Sequence, residues 1–143
     1  MAAPDSSHGG RRVAIVDGLR TPFTKSGTEL KSVSAYELGA RVVTELVNRS
    51  RVPAGEIDRV VFGSVVQDVN SPNIAREIVL ASPLPDTTDA HSVTKACATS
   101  TQTFIDGATA ILTGEADIVV TGGADSLSRP PVLFTDEFVE VMQ

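Results

Sequence analysis

Cys97 is the only cysteine of the chain, and it stands where a strand-like run, residues 91–96, changes into a helix-like run, residues 98–114. Its sulfur is therefore predicted at a helix N-terminus. Unpaired backbone N–H groups and the positive end of the helix dipole stabilise an anion there, and a thiolate is an anion. The placement predicts a nucleophile for acyl transfer through a thioester, with neighbouring backbone N–H groups as the oxyanion hole.

Two other interpretations of a lone cysteine stay open. A single cysteine is commonly a small buried hydrophobe, and a reactive thiol is also a target for oxidation, as in redox sensors. The small side chains of residues 98–101 leave room for an acyl group, which favours the nucleophile, and a redox sensor would lack a second, resolving cysteine. One cysteine forms no internal disulfide, which fits a reducing compartment.

Short apolar runs alternate with helical patterns along the chain. Residues 13–16, 60–63 and 118–123 are typical of strands buried on both faces of a parallel sheet, and residues 91–96 supply a further strand. With a helix between each pair, the order β-α-β-α-β-α-β predicts an α/β fold with right-handed crossovers.

Three helices are predicted between these strands. Ser34 and Glu37 form a capping box, Ser71 and Pro72 supply an N-cap and a first-turn proline, and the third helix follows Cys97. Two apolar stripes are expected to face the sheet. They consist of Leu38, Val42, Val43, Leu46 and Val47 in the first helix, and of Phe104, Ile105, Ala108, Ile111 and Leu112 in the third. Residues 135–142 predict a further short helix.

The chain of 143 residues has a net charge of −6, and after Gly114 six carboxylates face one arginine. An acidic surface argues against a nucleic-acid partner, and a solvated rim is the simplest account of these acids.

There is no apolar run of about 18 residues, so no membrane span is predicted. Residues 1–11 are expected to be a disordered lead-in, not a signal or transit peptide. No metal-ligand spacing is present, so no metal site is predicted.

Four segments resemble motif blocks of thiolases, in the same order. Residues 16–23 contain the RTPF opening, residues 73–77 the N-x-A-R segment, and residues 92–100 the block around the nucleophile. Residues 122–128 resemble the GG-x-E-S-x-S block, with Asp125 in place of Glu. Thr94 stands where many thiolases carry Asn. The block around Cys97 is most similar to the 3-ketoacyl-CoA thiolases of fatty-acid β-oxidation, the trifunctional-enzyme β-subunit type (acetyl-CoA C-acyltransferase).

The resemblance implies an acyltransferase in which Cys97 carries the acyl group and its backbone N–H forms part of the oxyanion hole. Coenzyme A is then substrate and product, and no resident cofactor is implied. The family's activating histidine and its second, acid/base cysteine lie in a C-terminal half that this chain does not contain. His8 and His91 do not match that histidine, so the isolated chain is expected to be inactive and to be the N-terminal part of a longer protein.

The resemblance also implies the fold, the domains and the partners. The fold is the N-terminal half of a layered α/β thiolase structure, a mixed, mostly parallel sheet with helices on both faces. Residues 12–129 form the thiolase N-terminal domain, and residues 130–143 begin a truncated loop domain. Expected partners are acyl-CoA and CoA, further copies of the chain in a homodimer or tetramer, and a hydratase/dehydrogenase α-subunit, in the cytoplasm.

Alternatives remain for the function and for several residues. The chain resembles, less well, an acetoacetyl-CoA-type biosynthetic thiolase or a ketoacyl-synthase-type condensing enzyme, and a non-catalytic fragment acting only in assembly is a further possibility. Arg20 either contacts substrate or belongs to a proline turn. Asn73 and Arg76 either brace the site or serve helix capping and the surface. Gly122 and Gly123 indicate close packing or a tight turn beside the helix that follows Cys97, because no phosphate-loop spacing is present.

Overall fold

The computed structural model describes residues 10–142, so His8 and most of the predicted lead-in lie outside the described residues. The strands are β1 (Arg59–Gly63), β2 (Asp89–Val93) and β3 (Val119–Gly123). The helices are α1 (Ala35–Ser50), α2 (Ile74–Leu80), α3 (Thr99–Thr113) and α4 (Asp136–Met142), and a 3-10 turn, Ala54–Glu56, precedes β1. The three strands are parallel in the order β2-β1-β3, and their register makes all three end at one edge.

Helices cover both faces of this sheet, which confirms the predicted α/β class. On one face, α1 and α2 enclose a core that includes Val60, Phe62 and Ile78. Gly122 of β3 belongs to this face, where a Cβ would overlap the ring of Phe62. On the other face, α3 lies against β1 and β3. The central strand is therefore shielded on both sides, which explains the continuous apolar sequence of β1.

Helix α3 packs on the sheet with a different face from the predicted one. Phe104 and Ile105 of the predicted apolar stripe are 44% and 48% exposed. A Cβ on Gly107 would lie 2.5 Å from Cγ2 of Thr121, so the helix approaches the sheet very closely. The prediction was wrong at Phe104 and Ile105, because the close approach is made by small residues, while Ala108, Ile111 and Leu112 of the stripe are half-buried. The buried face consists of small side chains, Thr99, Thr103, Gly107 and Ala110.

The predicted first strand, residues 13–16, is not a strand in the structure. Ile15 and Val16 are 76% and 78% exposed, and the segment lines an open cavity of about 760 Å³. Residues of α1, α3 and β3 line the same cavity, which is mostly apolar. An apolar run becomes a buried strand only where a neighbouring strand and covering helices contact it. The prediction was wrong because the cavity separates this run from the described elements that would bury it.

Helix α1 begins at the predicted capping box. The hydroxyl of Ser34 accepts from the N–H of Glu37 (3.3 Å), and the Glu37 carboxylate accepts from the N–H of Ser34 (2.7 Å). The Ser34 backbone bond, followed by the bond from its hydroxyl, lowers the pKa of Glu37. The two bonds satisfy backbone and side-chain groups at the helix start, so α1 has a fixed N-terminus.

Helix α2 begins later than predicted. Asn73 is its N-cap, and Oδ1 of Asn73 accepts from the N–H of Arg76 (3.2 Å). The predicted start at Ser71 and Pro72 was wrong because the amide oxygen of Asn73 already satisfies a free N–H of the first turn. The structure confirms the capping interpretation of Asn73.

The C-terminal residues form the predicted short helix, α4, whose side chains are all exposed. The rings of Phe134 and Phe138 stack with centroids 4.8 Å apart. Helix α3 ends as predicted at Gly114, which has a positive φ of 78°. None of the described helices is long and apolar enough to cross a membrane.

Candidate active site

Cys97 lies in the turn between β2 and α3, residues 94–98, which we name the nucleophile turn. The cysteine is free and exposed, which excludes the interpretation as a buried hydrophobe. The strand before it ends at Val93, earlier than predicted, and α3 begins at Thr99 with Ala98 as N-cap. The thiol therefore precedes the first turn of α3 and lies beyond the edge where the three parallel strands end.

A buried threonine closes the nucleophile turn. Thr99 is 4% exposed, and its hydroxyl accepts from the N–H of Lys95 (2.8 Å) and donates to the carbonyl of Ala96 (2.7 Å). The N–H of Ala98 donates to the carbonyl of Lys95 (3.0 Å). Ala96 has φ 46°, a left-handed conformation that is costly for any residue with a Cβ. The backbone just before Cys97 is thus held in a strained shape by hydrogen bonds on both sides.

Two glycines allow the start of α3 to lie directly on the strand ends. A Cβ on Gly63 would overlap the methyl group of Thr99 and would lie 2.5 Å from the carbonyl oxygen of Val93. A Cβ on Gly123 would overlap the hydroxyl of Ser100. The contact of Gly123 with Ser100, together with that of Gly122 with Phe62, confirms close packing at the pair of residues 122 and 123. The contacts of Gly63 and Gly123 show that the start of α3 lies close to the strand ends.

A loop that follows β1, residues 64–67, is held by the carboxylate of Asp125. Oδ1 of Asp125 lies 2.9 Å from the N–H of Val65, 2.8 Å from the N–H of Val66 and 2.9 Å from the hydroxyl of Ser64. Asp125 follows β3 by two residues, so the bonds join the ends of β1 and β3. Asp125 is exposed, as predicted for the solvated rim, and its carboxylate also accepts from the backbone of the 64–67 loop.

Thr94 joins this 64–67 loop to the nucleophile turn. Its hydroxyl donates to the carbonyl of Ser64 (3.1 Å) and accepts from Nε2 of Gln67 (3.0 Å). The donor and the acceptor capacity of one side chain are therefore both directed to the 64–67 loop. Because Thr94 begins the nucleophile turn, the ends of β1, β2 and β3 are connected by side-chain hydrogen bonds at the edge that carries Cys97.

The two serines of the 122–128 block bind a different segment. The hydroxyl of Ser126 donates to the carbonyl of Val33 (2.8 Å), and Ser128 accepts from the N–H of Gly27 (2.9 Å). These bonds fasten the residues that precede α1 to the residues that follow β3. The block therefore connects three loops, and Asp125 is its contact with the 64–67 loop.

The other residues singled out in the sequence make their side-chain contacts with other partners. The guanidinium of Arg20 stacks over the ring of Phe23 at 5.1 Å, and Arg76 donates to the carbonyl of Asp86 (2.6 Å). His91 is exposed on β2. No hydrogen bond among the described residues joins Arg20, Arg76 or His91 to the nucleophile turn. Within residues 10–142, no three His, Cys, Asp or Glu side chains are grouped closely enough to hold a metal ion.

A second electrostatic cluster ties the starts of the strands, at the opposite edge of the sheet. Asp58 accepts from the N–H groups of Asp117 (2.7 Å) and Ile118 (3.0 Å). The bond from Ile118, followed by the bond from Asp117, lowers the pKa of Asp58. Arg59 donates to Asp89 (2.6 Å) and to Glu115 (3.2 Å). These charges stabilise the sheet and lie apart from Cys97.

The sequence did not identify Thr99 or the 64–67 loop as parts of the site. Thr99 counted only as one of several small residues after Cys97. A usable signal existed for Ser64 and Thr94, because each directly follows a strand of a parallel sheet, where the strand ends form the usual place for a site. Their mutual hydrogen bonding depends on register, which one sequence does not show.

A family model described as "Thiolase, N-terminal domain" matches residues 13–142. A 3-ketoacyl-CoA thiolase of Shewanella halifaxensis is 52% identical over 123 residues, which are 86% of this chain and 28% of that protein. A 3-ketoacyl-CoA thiolase of Colwellia psychrerythraea is 50% identical over the same coverage. The chain thus spans about a quarter of the length of the curated relatives it matches.

Two solved structures are similar in fold. The Bacillus anthracis acetyl-CoA acetyltransferase superposes with a TM-score of 0.85 and 31% identity, over 89% of this chain and 32% of that one. The Acat5 thiolase from Ascaris suum, in complex with coenzyme A, superposes with a TM-score of 0.79 and 35% identity, over 82% of this chain and 31% of that one. The architecture of residues 10–142 is therefore that of the N-terminal part of these proteins.

Proposed function

The chain belongs to the thiolase family, and from this premise we propose that it supplies the nucleophile of a 3-ketoacyl-CoA thiolase. One observation carries the proposal: a free, exposed Cys97 in a fixed turn at the carboxyl ends of parallel strands, inside the matched domain. The higher identity to 3-ketoacyl-CoA thiolases than to the acetyl-CoA acetyltransferase supports the 3-ketoacyl-CoA substrate over acetoacetyl-CoA alone.

In the proposed reaction the thiolate of Cys97 attacks the C3 carbonyl of a 3-ketoacyl-CoA. The C2–C3 bond then breaks, its electron pair moves to C2, and C2 takes up a proton, so that acetyl-CoA leaves. The shortened acyl group stays on Cys97 as a thioester. The sulfur of a free coenzyme A attacks this thioester, and the cysteine sulfur leaves as the new acyl-CoA forms.

The described residues support the nucleophile's share of this chemistry. Because Thr99 and Ala98 bond to the backbone of residues 95 and 96, the backbone next to Cys97 is held in one shape, which limits the positions that the sulfur can take before the attack. We propose the backbone N–H of Cys97 as one donor to the oxyanion that forms at C3. The free N–H groups of the first turn of α3 favour negative charge at the same place.

The proton transfers need further groups. The chain has one cysteine and two histidines, and His91 lies on β2 away from the nucleophile turn. We therefore place the activating histidine and the acid/base cysteine in the part of the relatives that this chain does not span. Coenzyme A acts as substrate and product, with no resident cofactor. The proposal also includes a homodimer or tetramer, a hydratase/dehydrogenase α-subunit and a cytoplasmic location.

A chimera tests the function. Residues 13–142 are joined to the remaining part of the Shewanella halifaxensis 3-ketoacyl-CoA thiolase, and CoA-dependent cleavage of a 3-ketoacyl-CoA is measured. We expect cleavage, its loss in Cys97→Ala, and its retention in Glu45→Gln, which changes an exposed charge on α1. With CoA withheld, mass spectrometry should find the acyl group on the peptide that contains Cys97.

The same chimera separates the alternatives. Cleavage of acetoacetyl-CoA but not of longer 3-ketoacyl-CoA substrates would support the biosynthetic type instead. Cleavage that persists in Cys97→Ala would refute the role of this residue. A folded chimera that neither cleaves substrate nor acquires an acyl group would support a fragment that serves only in assembly.

A further inference from the structure

We propose that Asp125 is a positioning residue for Cys97, acting through the 64–67 loop and Thr94. The inference deepens the proposed function, because it concerns the same nucleophile. It starts from the number of donors that converge on one oxygen: two backbone N–H groups and one hydroxyl lie within 2.9 Å of Oδ1 of Asp125. Asp125 is exposed, yet one oxygen of its carboxylate is directed at the backbone of the 64–67 loop.

The carboxylate shapes the 64–67 loop. Val65 and Val66 point their successive N–H groups at the same oxygen, which requires a tight bend directly after β1. The hydroxyl of Ser64, which is only 7% exposed, lies 2.9 Å from this oxygen and 3.0 Å from the carbonyl oxygen of Val66, so its single proton is shared between two acceptors inside the bend. Hydrogen bonds to an ionised acceptor are stronger than neutral ones, so the charge of Asp125 contributes to the bend.

The loop in turn holds the start of the nucleophile turn. The hydroxyl of Thr94 donates to the carbonyl of Ser64 and accepts from the side-chain amide of Gln67, so both of these bonds connect it to the loop. The next residue, Lys95, is fixed by the hydroxyl of Thr99. The strained backbone at Ala96 is therefore held at its N-terminal side by the 64–67 loop and at its C-terminal side by α3. Loss of the Asp125 carboxylate would therefore weaken the hold of the 64–67 loop on the N-terminal side of the nucleophile turn.

The other acids near the C-terminus do not share this arrangement. Glu115 bonds to Arg59 at the opposite edge of the sheet, and Asp117 pairs with Arg11. Asp136 begins the exposed helix α4. Asp136→Asn therefore removes the same charge as Asp125→Asn without touching the 64–67 loop, and it serves as the matched control.

Two measurements on the chain test the proposal, hydrogen exchange of the Val65 and Val66 amides and the rate of Cys97 alkylation by iodoacetamide. In Asp125→Ala we expect exchange at both amides to rise by about tenfold or more, as the loss of a hydrogen bond to a charged group implies. We expect the alkylation rate to change by about threefold or more, because cysteine reactivity follows its surroundings. Asp125→Asn should give smaller changes, Asp125→Glu should restore both values, and Asp136→Asn should match the unchanged chain.

Alkylation of folded protein separates positioning from simple stabilisation. A residue that only stabilises the fold would lower the denaturation midpoint and leave the alkylation rate in native buffer unchanged, and that result overturns the proposal. Equal effects of Asp136→Asn and Asp125→Asn would also overturn it, since net charge would then be the cause. If Asp125→Ala does not fold, the comparison of Asp125→Asn with Asp125→Glu decides. Alkylation needs no acyl transfer, so failure of the proposed function leaves this test intact.

Discussion

Replacement of Thr99 by valine should loosen the nucleophile turn while keeping the shape of the side chain. Valine retains the methyl group over Gly63 but loses the hydroxyl that bonds Lys95 and Ala96. The N–H of Lys95 is then left without its partner, at a cost of about 1–3 kcal/mol. The carbonyl of Ala96 still accepts from the backbone N–H of residue 99 (3.1 Å), so the loss of its bond to the hydroxyl adds little to the destabilisation. Because the turn is partly open to water, we expect the free energy of unfolding to fall by about 1–2 kcal/mol.

The matched control is Thr99→Ser, which keeps the hydroxyl and removes the methyl group. A buried methyl group contributes about 0.8 kcal/mol, so serine should be the milder change. Urea denaturation followed by circular dichroism measures both variants. With a slope of about 1–3 kcal/mol per molar urea, valine should lower the midpoint by about 1 M. Valine alone should also change the alkylation rate of Cys97. If serine is as destabilising as valine or more so, packing holds Thr99 and the hydrogen-bond argument is refuted.

Two further predictions concern the sheet. Gly63→Ala should destabilise the chain by about 1–3 kcal/mol, because the added Cβ meets a backbone carbonyl that cannot move away, whereas Gly55→Ala, where nothing lies within 4 Å, should change the urea midpoint little. The folded-state pKa of Asp58 lies below its ordinary value of 3.8. The ionised carboxylate therefore contributes fully to the free energy of unfolding above pH 3.8, and this contribution is lost as the pH falls through the folded-state pKa. The urea midpoint should therefore fall more steeply below about pH 4 in the unchanged chain than in Asp58→Asn, and parallel curves would contradict this.

The sequence predicted those parts of the fold that depend on local pattern. The capping box at Ser34, the strand β1 and the switch from strand to helix at Cys97 each follow from residues adjacent in the chain. The face of α3 could not be predicted in this way. Hydrophobic periodicity selects Phe104, but the helix packs with Gly107, because its distance from the sheet is set by what β1 and β3 place opposite it.

The rest of the site depends on contacts between distant residues. Asp125 and Val65 are separated by 60 positions, and their bond exists only because β1 and β3 are neighbours in register. One sequence shows that an acid follows β3 but not which donors meet it. The run 13–16 failed as a strand for the same reason, since its pairing depends on partners that local pattern does not specify.

A Cβ at position 63 would occupy the space that the methyl group of Thr99 fills above the end of β1, so the side chain at position 99 limits the residue at position 63. A smaller residue at position 99 would remove only one of the two overlaps that a methyl group at position 63 creates, because the carbonyl oxygen of Val93 would still lie 2.5 Å away. Position 63 should therefore stay glycine in relatives that keep this packing, whatever residue stands at position 99, because a larger residue there would push the start of α3 away from the strand ends.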